Sequence, residues 1–367
     1  MASLLDKNDK RPLYTQLSER LKSELRDFPI GDKFYADREL VRKYSVSPHV
    51  VRQALSLLVE DGYIERLVSK GTYVRKHERE PLPTDTRRIA IFFPIAAKAF
   101  PHIGAVMGIT EVLEDEGYTA EIHDNFKSNK SMEALIVDRL RQVDGIIWIS
   151  PISDEIFEMP ESLRISVGRL VFLNIYIHEP GFTCVNRDDA SATFGMTSHL
   201  IQQGRKKIAF IGGPQDRRIS RDRYEGYKRA LTARGMDIPP SLTARHEGSP
   251  DDIIGGYHTM ETILERGETP DAVVCLTDHL AIGAVNCLTA RGLSVPGDVA
   301  VTGFDNNEFI RAHMRPELTS AELPFYEEGR QAVRLLLSQL LEKQPPGVRQ
   351  MVPCQLFFRE SSEKWLR

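Results

Sequence analysis

Leucine recurs every fourth residue through Leu13, Leu17, Leu21 and Leu25, with charged side chains between them. That spacing predicts an amphipathic helix over Leu13–Phe28, which Pro29, Ile30 and Gly31 stop. A shorter helix follows from Asp37 to Tyr44, with Leu40 and Val41 turned inward and Arg38, Arg42 and Lys43 outward. Ser47 is placed to cap a third helix, and Pro48 opens it, where a missing N–H costs nothing. Gly62 ends it. In this third helix Val50, Ala54, Leu57 and Leu58 form the expected buried stripe, with Val51 and Leu55 on its flank. His49, Arg52, Gln53 and Ser56 occupy a separate face at helical spacing. Two short strands close the segment, Tyr63–Leu67 and Thr72–Arg75, joined by a turn through Lys70 and Gly71.

Three helices and a β-hairpin are the order of a winged helix-turn-helix. The polar face of the third helix carries donors and acceptors and no carboxylate, which suits base edges in a DNA major groove. Beyond it, residues 78–87 are polar and hold two prolines, so they read as a linker. From Ile89 onward short apolar runs alternate with helical stretches: strands at Ile89–Phe93, Thr119–His123, Gly145–Ile149, Leu170–Ile175, Lys207–Gly212, Ala272–Thr277 and Val299–Phe304. Such alternation means parallel, doubly wound α/β sheets, and nearly 280 residues is enough for two lobes. Ligands of these folds lie beyond the carboxyl ends of strands and in the cleft between lobes.

Composition adds exclusions. The 367 residues are 41% hydrophobic and 27% charged, and no run has the roughly 20 apolar residues of a membrane helix. The first residues carry charge where a secretory signal needs an apolar stretch, so a cytoplasmic protein is expected. Four cysteines lie far apart without metal-binding spacing, so neither a disulfide scaffold nor a zinc site is expected. The net charge of −4 hides an asymmetry. Residues 1–80 hold 16 basic against 13 acidic side chains, and the remainder 32 against 39. The sign is that of a front segment facing a polyanion.

Strand-end residues are the candidate ligand contacts. Arg223, in a basic cluster near a helix start, can grip vicinal hydroxyls or a carboxylate with paired donors. Asp305 ends a strand and can accept from hydroxyls; Asp278 has the same two readings as ligand group or helix cap, and the cap is favoured. Phe100, on the first strand–helix loop, is placed to face a ring, and Ser150 follows the strand Gly145–Ile149. Gly212 and Gly213 lack the glycine spacing or lysine of a phosphate loop, and a tight turn accounts for them.

Residues 12–76 resemble the N-terminal domain of the GntR family. Asp37–Val41 is similar to its ERELA signature, Val46–Leu55 to VSRxTVRxAL, and Lys70–Val74 to the GGTFV of the wing. The resemblance implies DNA contacts from Arg38 and Arg52, with Gly71 letting the wing tip approach the duplex; Ser47 at the helix start, His49 and Gln53 on its polar face and Lys70 at the hairpin tip are the further candidate contacts. Pro48 stands where the family usually has Arg, so a familiar operator sequence is not implied. Residues 88–361 resemble the effector domain of LacI/GalR regulators, a periplasmic-binding-protein fold. The matching segments are Gly204–Gly213, Arg223–Leu231, Gly292–Val301, Gly303–Asn306 and Pro316–Ser320. By that resemblance Arg223 and Asp305 bind an effector, Asp188 supplies a further carboxylate, and Thr277 replaces the usual Asn. The combination resembles the arabinose-repressor type of Gram-positive bacteria in architecture.

The expected fold is thus α/β: a winged helix-turn-helix at 1–77, the linker at 78–87, and an effector-binding and dimerisation domain at 88–367. Its first lobe is expected at about 88–204 and 325–343, its second at about 205–322 and 348–367. The expected function is a sequence-specific transcriptional repressor, a homodimer on pseudo-palindromic operator DNA whose half-sites lie ~34 Å or a multiple of it apart. A small-molecule effector, carbohydrate in class, controls it; no cofactor, metal or membrane is expected. Rival readings are a periplasmic solute-binding protein, which needs an export signal, and a cytoplasmic α/β sugar-binding protein or enzyme, whose catalytic arrangements the sequence does not display. A GntR-type regulator with an aminotransferase-like domain would need a longer chain.

Overall fold

The computed structural model describes residues 12–25, 28–29, 31–60, 62–67, 70–75, 86–94, 102–124, 131–150, 156–157, 159–177, 179–249 and 251–363. The chain divides into two units, residues 1–81 and 82–367, and the intervening linker falls almost wholly outside the described residues.

In the first unit α1 (Leu13–Glu24), α2 (Asp37–Tyr44) and α3 (Pro48–Glu60) precede β1 (Ile64–Leu67) and β2 (Gly71–Val74). The core joins Leu17, Leu21 and Leu25 of the first helical segment to Leu40, Leu55, Leu58, Ile64 and Val74. The buried stripe of α3 is Val51, Ala54, Leu55 and Leu58, while Val50 and Leu57 are half-buried. This corrects the expected stripe by about one position, because α3 packs against both α1 and α2 and so turns Val51 and Leu55 to the centre. Gly62, at a positive φ of 73°, closes α3: its N–H donates to the Val59 carbonyl at 2.9 Å and that of Tyr63 to Leu58 at 2.8 Å. The hairpin pairs Ile64 with Val74 and Leu67 with Gly71, and Lys33 bridges to Tyr73 on the other side of β2.

The second unit runs β3 (Arg88–Phe93), α4 (Ile103–Asp115), β4 (Thr119–Asp124), α5 (Met132–Leu140), β5 (Gly145–Ile149), β6 (Ile156–Phe157), β7 (Leu170–Leu173), β8 (Tyr176–Ile177) and β9 (Thr183–Arg187). It continues with α6 (Asp189–Gln202), β10 (Ile208–Gly212), α7 (Arg218–Thr232), β11 (Thr243–Arg245), α8 (Ile253–Glu265), β12 (Ala272–Cys275), α9 (Asp278–Ala290) and β13 (Ala300–Thr302). The last elements are α10 (Glu308–His313), β14 (Ser320–Glu322), α11 (Phe325–Leu341), β15 (Arg349–Val352) and β16 (Gln355–Phe357). Two parallel sheets result, β15-β9-β7-β5-β3-β4 and β11-β10-β12-β13. Both faces of each are covered, which explains why the central strands β5, β7, β10 and β12 are apolar at every position.

The lobe boundaries differ from those expected. Helix α6 packs against α7, where Gly226 lies so close to the Ala190 carbonyl that a Cβ would overlap it, so the first lobe ends near Asp188 and not at 204. Strand β15 pairs with β9, so residues 349–352 complete the first sheet and do not belong to the second lobe. The chain therefore crosses between lobes after β9, between β14 and α11, and between β15 and β16. Residues at the first two crossings, Arg187 and Asp189 at one and Glu322, Leu323 and Phe325 at the other, line the cavity that is the candidate ligand site.

Candidate functional site

The first unit presents the third helix as a polar surface. His49, Arg52, Gln53 and Ser56 are all exposed, as are Arg38 on α2 and Lys70 at the wing turn. Internal ion pairs occupy several of the other cations, Arg20, Lys43, Arg66 and Arg75. Arg66 holds the Asp37 carboxylate through one nitrogen at 2.8 and 2.9 Å, tying the wing to the start of α2. Lys43 donates to Glu24 at 2.7 Å and to the Tyr35 hydroxyl at 3.0 Å. Among the described residues Arg38, Arg52 and Lys70 form no ion pair, which leaves their charge to solvent or a partner. The Ser47 hydroxyl accepts from the Val50 N–H at 3.3 Å, so it caps α3. Gly71 has φ 120°, and a Cβ there would press on the Lys33 side chain. The glycine is thus required by backbone geometry and packing as well as by any approach to DNA.

In the second unit a cavity of about 570 Å³ opens between the lobes. The first lobe contributes His102, Asn174, Tyr176, Asn186, Arg187 and Phe325, and the second Asp189, Arg218, Asp222, Thr277, Asp305 and Asn307 among others. A chain of charged groups crosses its floor. Arg187, at the end of β9, donates to Asp189 at 3.0 Å and to the Asn174 side-chain oxygen at 3.2 Å. Asp189 accepts from Arg223 Nε at 2.8 Å, and Arg223 lies 3.6 Å from the Asp305 carboxylate. Arg223 is 1% exposed, with its guanidinium 3.4 Å from the Phe304 ring centroid and a further hydrogen bond to the Leu276 carbonyl. Asn174 also donates to Glu328 of α11 at 3.2 Å, which extends the chain into the first lobe.

Burial governs the protonation of these groups. It raises the Asp305 carboxyl far above the usual carboxylate range against the opposing pull of Arg223. Burial likewise lifts Glu328 to about 7 and Asp278 to about 6. It lowers His102 to about 4, with the charge of Arg187 acting in the same direction. The loop that presents Asp305 is strained: Asp305 and Asn306 have φ of 109° and 47°. Asp278 holds that loop by accepting from the Asn307 N–H at 2.8 Å and the Ser320 hydroxyl at 2.6 Å.

Residues 13–74 match the model for bacterial regulatory proteins of the gntR family, and residues 197–362 that for a periplasmic-binding-protein-like domain. The chain is a GntR-type winged helix joined to a periplasmic-binding-protein-like sensor. The HTH-type transcriptional repressor CytR of Escherichia coli is 28% identical over 330 residues, covering 88% of this chain and 92% of the relative. The arabinose metabolism transcriptional repressor of Geobacillus stearothermophilus is 28% identical over 345 residues, 90% of this chain and 92% of its own. Among solved structures, a transcriptional regulator CelR–cellobiose complex shares 26% identity at a TM-score of 0.60, covering 86% of this chain and 91% of that one. With such relatives along most of its length, the chain is a DNA-binding transcriptional regulator.

The regulator's expected ligand residues divide three ways. Asp305 and Thr277 line the cavity. Arg223 lies beneath them, joined to the lining through Asp189 and Asp305. Asp188 does not line it: its carboxylate caps α6, accepting from the Ser191 N–H at 2.9 Å, and the neighbouring Asp189 meets Arg223 instead. Ser150 is buried, is not among the lining residues, and donates its backbone N–H to Leu173 at 3.1 Å. Phe100 lies outside the described residues. The cap of α9 is Thr277, whose hydroxyl accepts from the Leu280 N–H at 3.3 Å, and not Asp278, which braces the 305–307 loop. Sequence reasoning missed His102, Asn174, Tyr176, Asn186, Arg187 and Asp189. Only Arg187 and Asp189 carried a signal, as charged residues at a strand end and a helix start; the others are single polar residues in loops or short strands.

Proposed function

We propose that the regulator represses transcription as a homodimer on a pseudo-palindromic operator in the cytoplasm, and that a sugar or sugar derivative in the interlobe cavity resets its operator affinity. Arg52, His49 and Gln53 read base edges from α3, Arg38 and Lys70 meet phosphates, and Ser47 sets the register of α3 as its cap. Asp305, Thr277 and Asp189 face the effector, and Arg223 fixes the two carboxylates. The observation that carries the reading is the chain of charged groups Asp305–Arg223–Asp189–Arg187, an ion-pair contact at its first link and hydrogen bonds at the other two, which joins residues on both sides of a chain crossing at the floor of one cavity. A ligand there contacts both lobes, and it can favour one lobe arrangement only by binding it better than the other. Couplings of this kind are roughly 1–3 kcal/mol, or about 5–150-fold in affinity. The likeness to a CelR–cellobiose complex supports a carbohydrate as the class of effector.

The test selects DNA from a random library with the full chain, then titrates sugars against the selected complex while following fluorescence anisotropy. A selected sequence with two-fold symmetry and a saturable sugar response is the expected result. Recovery of no preferred sequence, or selection unchanged in Arg52→Ala, would refute it.

A further inference from the structure

The regulator's cavity has a charge character that separates classes of sugar effector. Six carboxyl groups line it, Asp189, Asp222, Asp251, Asp305, Glu308 and Glu322, of which burial favours the protonated form of Asp305. Three arginines oppose them, and none is an open anion site. Arg187 is bonded to Asp189 at 3.0 Å, Arg218 to Asp222 at 3.0 Å, and Arg217 is also engaged within the protein. Arg218 additionally covers the Tyr176 ring, 3.0 Å from its centroid. A phosphate or carboxylate entering here would have to displace a paired carboxylate while facing others, at a cost in a partly desolvated site.

Two side chains on the first-lobe wall define what is wanted. Asn186 is 5% exposed; its amide N–H₂ donates to the Ile175 carbonyl at 3.2 Å, but its Oδ1 has no hydrogen-bond partner. His102 is also 5% exposed, its ring packs 4.7 Å from that of Phe325, and its Nδ1 has no partner. Buried polar atoms are normally satisfied, so two orphans on one cavity wall point to a ligand that bonds there. An amide oxygen can only accept, and burial keeps the imidazole neutral, so it too can accept. Hydroxyl and amino groups supply the missing hydrogens; phosphate dianions and uronate carboxylates do not.

We propose that the effector is a non-anionic sugar, neutral or amine-bearing, whose hydroxyl or amino hydrogens are accepted by Asn186 and His102. The inference rests on the cavity being the effector site. The full chain is examined by isothermal calorimetry and thermal shift at matched ionic strength. The panel holds L-arabinose, D-ribose, D-glucose, cellobiose and D-glucosamine, beside ribose 5-phosphate, glucose 6-phosphate and glucuronate.

At least one neutral or amino sugar should bind, and an anionic counterpart of it should bind roughly tenfold or more weakly. Asp222→Asn, which leaves Arg218 without its carboxylate, should narrow that gap by about tenfold. Asn186→Ala should weaken the neutral ligand without changing its discrimination against the phosphate. Tighter binding of an anionic member than of its neutral parent overturns the proposal, as does a panel in which no neutral or amino sugar binds. If an anionic member binds more tightly than its neutral parent and also releases DNA, the effector-site reading stands while this inference falls. If binding survives unchanged in both Asn186→Ala and Asp305→Asn, the ligand lies elsewhere and both fall.

Discussion

Replacing Glu328 by Gln tests the electrostatics of the cavity floor without changing its shape. Glu328 is fully buried on α11, accepts one hydrogen bond from Asn174 at 3.2 Å, and leaves its other oxygen without a partner. Burial raises its carboxyl from 4.5 to about 7, with Arg187 and Asn174 resisting the rise. The folded state therefore holds a proton that the unfolded state releases between these values. The stabilisation is fully present below pH 4.5 and is lost as pH climbs through 7. At about 1.36 kcal/mol per pH unit, the move from 4.5 to about 7 corresponds to roughly 3 kcal/mol once the carboxyl is ionised in both states. Gln mimics the protonated acid, keeps an acceptor for Asn174, and does not ionise. The variant should match the wild type at pH 5 and exceed it at pH 8, by roughly 5–10 °C in the unfolding midpoint of the sensor unit. Comparing the two proteins at each pH cancels the parallel titration of Asp305 and Asp278 to first order. The assay is differential scanning calorimetry across pH 5–8. A variant less stable than the wild type at pH 8 would show that Glu328 is an ionised, stabilising partner of Arg187, and the burial argument would fail.

Arg52→Ala should cost about 1–3 kcal/mol in operator binding, while the sugar-induced thermal shift stays intact; loss of both would indicate misfolding. Lys70→Ala should weaken all DNA sequences about equally and reduce the slope of log affinity against log salt by about one, as measured by anisotropy titrations. Gly226→Ala drives a methyl group into the Ala190 carbonyl across the α6–α7 contact, and the resulting overpacking should cost roughly 1–3 kcal/mol in chemical denaturation. Arg223→Ala leaves Asp189 without one partner and Asp305 without its nearby cation, and should lower sensor stability by about 3–5 kcal/mol along with the effector response. A normal melting midpoint with a lost response would mean that Arg223 touches the ligand itself.

The elements of the winged helix were legible because each is specified locally: leucines at helical spacing, a Ser–Pro start, a glycine stop, a hairpin with a cation at its turn. The rotation of α3 was not, since Val50 and Val51 are equally apolar and only packing against two helices decides which is central. The strands of the sensor were equally plain as apolar runs. Their assignment to lobes was not, because β15 joins β9 across more than 160 residues and no local pattern records that pairing.

The adjacent carboxylates Asp188 and Asp189 locate the limit more sharply. Composition and order treat them alike, yet one caps α6 and the other bonds Arg223 and Arg187. The difference is set by where the helix starts: at the N-cap a side chain folds back on its own turn, and one residue later it projects from the first turn. Asp278 and Thr277 repeat the logic at α9, where Thr277 takes the cap and frees Asp278 to brace the strained loop carrying Asp305. A one-residue shift at the start of α6 would exchange a structural carboxylate for a ligand-facing one, and at the start of α9 it would take Asp278 away from the loop it braces. The geometry of this cavity is therefore fixed by the caps of α6 and α9 as much as by the residues that line it.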